Sequence, residues 1–276
     1  MRYLTPTIDH VVVNTHRRMD EAAEAYRRLG FTLTPRGYHS LGSVNHLAIF
    51  GTDYLELIGL PATGGGRQDL LDWPLGLNGL VWGSEDADAT HAAIAAAGVP
   101  VLPAQSFTRP VELATGPRDA AFRTVRLPND TTPAGRLYFC QHFNRELVWR
   151  DEWRQHANGA IGVAAMVFTA AEPARLGALF RRLFGAQAVR AIPHGVRLLV
   201  GLIDVDVMTP AGCASRFGAA AVPGDGRAEA MAVLVLRTTS LAQVEAALDG
   251  IATERHGDCL VAPPAAGFGA AIAFRE

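Results

Sequence analysis

The stretch TIDHVVVNTHRRMDEAAEAYRRLGFTLTPRGYHSLGSVNHLAIFGTDYLELIGL, Thr7 to Leu60, decides how the whole chain is read. It runs strand, helix, then strands. IDHVVVN is apolar and rich in β-branched residues, which suit a pleated, half-buried surface. RRMDEAAEAYRRLG sets Met19, Ala22, Ala23, Tyr26 and Leu29 at helical spacing and stops at Gly30, a residue suited to ending a helix. FTLTPRG, NHLAIFG and DYLELIGL follow as three short strands separated by turn residues. The unit is βαβββ.

The same order returns three times. NGLVWGS leads into a helix over EDADATHAAIAAAG, then strands are expected at VPVLPA, AFRTVRLP and RLYFCQHF. A third copy opens with GVAAMVFTA and a helix begun by Pro173, where proline is tolerated, and continues through AQAVRAI, VRLLVGL and DVDVMTP. The fourth is AMAVLVLRT, a helix capped by Ser240, then CLVAPP and GAAIAFRE. The copies begin near residues 7, 78, 161 and 230. One such unit cannot cover both faces of its small sheet, so the units are expected to pair around a cavity. The fold class is therefore α+β: four βαβββ modules paired into two cup-like sheets with helices outside. Residues 1–150 form the first pair, 151–160 the linker and 161–276 the second pair. The segment CASRFGAAAVPGDGRAEA reads as a surface excursion.

Composition narrows the function. Of 276 residues, 49% are hydrophobic and 19% charged, which supplies a core and argues against disorder. A net charge of -2 gives no electrostatic case for nucleic acid. No stretch approaches the ~20 apolar residues of a membrane span, and MRYLTPTIDH resembles no signal peptide, so no membrane partner and a cytoplasmic location are expected. Three scattered cysteines, Cys140, Cys213 and Cys259, indicate neither a disulfide framework nor a zinc knuckle. The chain has no lysine, so Schiff-base and P-loop chemistry are excluded. The partner expected is a small molecule, with the chain a monomer or homodimer.

DHVVV, AAEAYRRLGFTLTPRGYHSLGSVNHLAIFGTDYLELIG and LYFCQHF with ELVWR resemble the glyoxalase-like domain proteins of the vicinal oxygen chelate superfamily. The resemblance implies metal ligands on the first and last strands of a module, pointing into the cup. His10 and Glu56 match those places. An imidazole and a carboxylate suit a borderline divalent ion such as Zn, Mn, Ni or Fe. Strand alternation puts Glu56 on one face with Tyr54 and Ile58, and Leu55 and Leu57 on the other. Module two departs from the pattern, with Leu80 or Val81 and Phe139 at the matching places. Gln141, His142 and His46 are the candidates for a third ligand. His39, Asn45, His46, Tyr54, Arg109, Arg123 and Trp149 are candidate pocket residues, the arginines because their forks match an anionic group. The resemblance implies an enzyme that chelates a small oxygen-bearing substrate for isomerase or lyase chemistry. Glu56 is then its catalytic residue, either holding the metal or acting as general base. The alternative is a binding protein of the same fold that sequesters a small molecule without chemistry.

Overall fold

The computed structural model describes residues 3–276. Module one comprises β1 (Ile8–Asn14), α1 (Met19–Arg28), β2 (Gly37–Tyr38), β3 (Val44–Ile49) and β4 (Tyr54–Gly59). Module two is β5 (Gly76–Gly83), α2 (Ala87–Ala96), β6 (Gln105–Val111), β7 (Arg118–Arg126) and β8 (Arg136–His142). Module three is β9 (Ala160–Ala170), α3 (Pro173–Phe184), β10 (Val189–Ile192), β11 (Gly195–Val200) and β12 (Ile203–Met208). After an additional helix, α4 (Pro210–Phe217), module four follows as β13 (Glu229–Thr238), α5 (Leu241–Ala247), β14 (Glu254–His256), β15 (Cys259–Ala262) and β16 (Ala271–Arg275).

Within each pair the first strands lie antiparallel, β1 against β5 and β9 against β13. Each first strand is also flanked, in parallel, by the last strand of its own module. The sheets accordingly have one order twice: β2-β3-β4-β1-β5-β8-β7-β6 and β10-β11-β12-β9-β13-β16-β15-β14. The modular reading holds.

Three local expectations are corrected. FTLTPRG yields only Gly37–Tyr38 as strand, because Phe31 and Leu33 turn into the core instead of alternating along a ladder. The strand expected at VPVLPA begins later, as β6, because Pro100 and Pro103 carry no N–H for a ladder. The expected surface excursion at Cys213 starts inside α4, whose Thr209 side chain accepts from the Gly212 N–H and whose first turn carries Pro210. That Thr-Pro pair is a helix-start signal, and it was legible.

The helix-bearing faces of both sheets share one apolar core. Trp82 packs on Phe180 and Phe184, Phe31 stacks on Phe274 at 6.3 Å, and the Tyr26 hydroxyl donates to the Gly267 carbonyl at 3.1 Å. The apolar faces of the helices outside the cups are therefore turned into this shared core. The segment before β9 is also fixed: His156 bonds the Thr32 N–H and the Ile49 carbonyl, and the Asn158 amide donates to Leu29. We propose 1–150, 151–160 and 161–276 as module pairs and junction, with Met1 and Arg2 outside the described residues.

Asp53 sits in the seam between the pairs, 1% exposed, accepting the Val163 N–H at 2.8 Å. Burial pushes its carboxyl up to about 6, only partly opposed by that hydrogen bond and by Arg237. A carboxyl whose folded pKa is raised costs stability once it ionises, so the cost is complete above about pH 6 and absent well below it. Asp53→Asn keeps an acceptor for Val163 and removes the charge. Its melting temperature is expected to exceed that of the parent at pH 8, by up to ~3 kcal/mol of stability, to keep about half of that margin at pH 5, and to converge on it only near pH 3. Calorimetry of both proteins across that range checks the sign.

Candidate functional site

The first cup holds the site. β1 carries a bulge: Ile8 opposes Trp82 and His10 opposes Val81, leaving Asp9 as the extra residue. Asp9 and His10 consequently both serve the concave side, which strict alternation would forbid. Asp9 is 2% exposed, and its Oδ2 accepts from His10 Nδ1 at 2.6 Å and from His142 Nε2 at 2.9 Å. Arg145 lies 3.5 Å from its other oxygen. Burial alone would raise this carboxyl. The His142 charge and the two imidazole hydrogen bonds outweigh it and hold Asp9 well below the carboxylate range.

An ionised Asp9 can only accept, so His10 Nδ1 donates to it and Nε2 is turned into the cavity. The ring is held flat against Tyr54, with centroids 4.4 Å apart and planes at 11°. Nε2 stands 3.7 Å from Glu56 Oε2 and 3.3 Å from the Tyr138 hydroxyl. Glu56 Oε1 accepts from the Asn45 amide at 2.7 Å and lies 3.9 Å from His39 Nε2. Burial works to raise Glu56, but His10 beside it, the Asn45 amide bond and the Arg136 charge outweigh that, so this carboxyl is lowered and ionised. Burial pushes His39 down to about 4, leaving it neutral and bonded to the Ser43 hydroxyl at 2.8 Å. Burial also raises the Tyr138 phenol, which stays protonated.

The cavity these groups enclose has a volume of ≈ 40 Å³. Ile58, Phe107, Phe122 and Val148 supply apolar walls, and Arg67, Arg109, Arg126 and Arg136 supply charge. Only Arg67 has a carboxylate partner, Asp69, held by two bonds of 2.7 Å. Arg109 Nε, Arg126 Nε and Arg136 Nη2 are buried without any partner. Burial lowers Arg109 and Arg136, and burial together with the Arg67 charge pushes Arg126 down to about 10.

Of the residues expected from sequence, the cavity gathers His10, His39, Asn45, Tyr54, Glu56 and Arg109. It does not gather the others. His46 points to the α1 side, bonded to the Thr34 carbonyl and to Arg36. Gln141 accepts from Ala87 N–H and donates to Glu85, tying down the start of α2 instead of facing an ion. Arg123 pairs with Asp88 at 2.6 Å on that same outer side. His142 shares the concave face but spends its Nε2 on Asp9, and Trp149 packs behind the lining against Tyr54 and His142. Phe139 is on the helix side. The residue opposite Val81, as Glu56 is opposite Val12, is Tyr138. Asp9, Tyr138, Arg67, Arg126 and Arg136 were not anticipated.

The donors fit a divalent ion in one respect. His10 presents one ring nitrogen beside an ionised carboxylate while its other nitrogen donates to a buried acid, the arrangement that orients metal-ligating histidines. The other polar groups beside this pair are Asn45, Tyr138 and His39, in place of the expected Gln141, His142 and His46. Beneath the cavity, Asp9, Cys140 and His142 bring ligand atoms within 4.8 Å of one another. Burial raises the Cys140 thiol well above its ordinary value, so it is a neutral neighbour to the two imidazole–Asp9 bonds.

The second cup carries no equivalent. Asp206 occupies in β12 the register place of Glu56 in β4, opposite Val167. It is fully buried and paired with Arg197 at 2.5 Å and with Arg216 of α4 at 2.7 Å. Cys213 and Phe217 of α4 pack onto the alanine-rich concave face, against Ala164, Ala165, Ala232, Ala271 and Ala273, and fill it.

No helix among the described residues is long and apolar enough to cross a membrane. No curated protein matches the chain in sequence. In fold, the chain is similar to a hypothetical protein from Staphylococcus aureus, with TM-score 0.66, 11% identity and 98% of each chain covered. It is also similar to a mutant of 4-hydroxymandelate synthase from Streptomyces coelicolor, with TM-score 0.54, 11% identity, 99% of this chain and 94% of that one. The model of the glyoxalase-like domain matches residues 8–184, from the first strand of the first cup through α3. With the fourfold βαβββ architecture and a histidine and glutamate converging from β1 and β4, that match makes this chain a member of the glyoxalase-like domain family of the vicinal oxygen chelate superfamily.

Proposed function

We propose that the first cup is the active site of a metal-assisted enzyme of isomerase or lyase type, acting on a small oxygen-bearing molecule. One observation carries the reading: His10, held through Nδ1 by buried Asp9, aims Nε2 at a carboxylate 3.7 Å away, both lining one cavity. His10 and Glu56 would hold the ion, and when bound it supplies Lewis-acid polarisation of a substrate oxygen. The protein's own groups do the rest. Asp9 keeps His10 in one tautomer and orientation. The protonated Tyr138 hydroxyl donates to an oxygen at the cavity centre, and the apolar walls keep bulk water out. Should no ion bind, Glu56 is free to take a proton from carbon next to a carbonyl.

A second reading has one observation in its favour. Module two contributes Gly79 and Tyr138 at the register places of His10 and Glu56, so the cup has two strong protein donors. A cup that sequesters its ligand without chemistry would look the same.

Metal content separates them first. Protein purified without chelator or histidine tag is expected to carry about one ion per chain, lost in His10→Ala and Glu56→Ala. No metal, and no uptake of Zn, Mn, Ni or Fe(II), would remove the ion from the proposal. Deuterium uptake from solvent into small keto acids then tests Glu56 as base, with Glu56→Gln expected to lower the rate about 10²–10⁴-fold. No exchange by the parent protein would leave the sequestering reading.

A further inference from the structure

Arg109, Arg126 and Arg136 are unusual among the buried charges of this chain. The other well-buried ionised groups have partners: Asp206 has two arginines, Glu229 has Arg175, and Asp9 has two imidazoles. These three guanidiniums have no carboxylate within 4.0 Å among the described residues, although Arg109 and Arg136 are only 6% and 7% exposed. Leaving a buried cation unpaired is expensive, and arginine cannot escape by losing its proton. Four guanidiniums line the cavity, and Glu56 with Asp69 offset two of them, leaving two positive charges.

The charges enter from two ends. Arg109 lies on β6 opposite Ala120, while Arg126 ends β7 beside Tyr138 of β8. Ala120 and Arg126 are six residues apart on one strand, about 20 Å at ~3.3 Å per residue, so the side chains converge on the cavity from opposite directions. Arg109 is laid over Gly37, where an added Cβ would come within 2.4 Å of its Cδ, so the backbone of β2 is shaped to admit it. Arg136 is steered by its Nε bond to Asn78 at 2.7 Å, which leaves Nη2 unpartnered. A flat guanidinium edge with free N–H groups is the complement of a carboxylate.

We propose that the cavity takes a small dicarboxylic acid, one carboxylate on Arg109 and the other on Arg126 and Arg136. The proposal rests on the first cup being the substrate site, and it names the substrate class of that site. The Glu56–His10 pair then faces the carbon chain between the two carboxylates, where a proton would be moved.

Calorimetric titration of the metal-free protein with succinate and glutarate tests it, against butyrate, succinamide and inorganic phosphate. The dicarboxylates are expected to bind about ten- to a hundredfold tighter than butyrate, and succinamide not at all. Arg109→Gln and Arg136→Gln are each expected to reduce dicarboxylate affinity to the butyrate level. Because each removes an uncompensated buried cation, both variants should melt higher than the parent without ligand, which shows that they fold. Glu56→Gln should still bind the acid, so loss of proton exchange in that variant and loss of binding in the arginine variants report on separate ideas. Equal binding of succinamide, equal binding of butyrate, binding of phosphate alone, or arginine variants with unchanged affinity would each overturn the proposal.

Discussion

Asp9→Ala is expected to destabilise the protein by about 3–5 kcal/mol, the range for breaking a buried charged pair by removing one partner. The reason is local. The carboxylate is the acceptor for His10 Nδ1 and His142 Nε2, and its loss leaves two buried imidazole N–H groups with none. His142 Nδ1 already lacks a partner, so that ring has no alternative bond to fall back on. Asp9 has its folded pKa held below the unfolded value. Its contribution is therefore present above the ordinary carboxylate range and disappears as pH falls through the lowered pKa. Denaturant unfolding at pH 7 measures the loss. Asp9→Asn should be milder for stability, because the amide oxygen still accepts one bond. In a metal-loaded protein it should weaken ion affinity about ten- to a hundredfold, as the tautomer of His10 is no longer fixed. A change within 1 kcal/mol for Asp9→Ala would mean that the imidazoles find other acceptors, and the account of His10 orientation would fail.

Phe217→Ala is expected to cost about 3–5 kcal/mol and to open a cavity in the second cup. Phe217 is 1% exposed and sits among alanines and valines of the concave face. Those small side chains make the space that α4 occupies, so the alanine-rich face and the aromatic plug are two halves of one fit. The hole would be lined mainly by apolar side chains, with the Arg216 guanidinium at one side, and is expected to take xenon. Unfolding measurements and xenon binding check both parts. A variant of unchanged stability would mean that α4 relaxes inward, and no xenon site would be found.

The outcome for the fold and the site differs for a physical reason. The repeat was legible because helical spacing, glycine stops and short apolar runs are local signals, and they recur at the starts of all four modules. The face of β4 was legible too, because a glutamate in YLELIGL leaves one economical parity. The parity of β7 and β8 was not. AFRTVRL and RLYFCQH lie in strands covered on both sides, with apolar residues at odd and even positions alike, so either register reads as plausible. A one-residue slip turns Arg123, Phe139 and Gln141 to the concave face in place of Arg126, Arg136 and Tyr138. Asp9 escaped for a related reason, since only the bulge in β1 brings it to the side of His10.

The sequence by itself determined four βαβββ modules, their pairing, and a histidine and glutamate aimed into the first cup. Tertiary structure decided which cup stays open. In the first, β1 bulges and three arginines remain unpaired around a small cavity. In the second, α4 folds onto an alanine-lined face, and its Arg216 joins Arg197 on the carboxylate that matches Glu56. Strand and helix propensities are set by neighbours along the chain. Whether a concave face holds a ligand or a helix depends on side chains brought together from several strands, and no local pattern records that meeting.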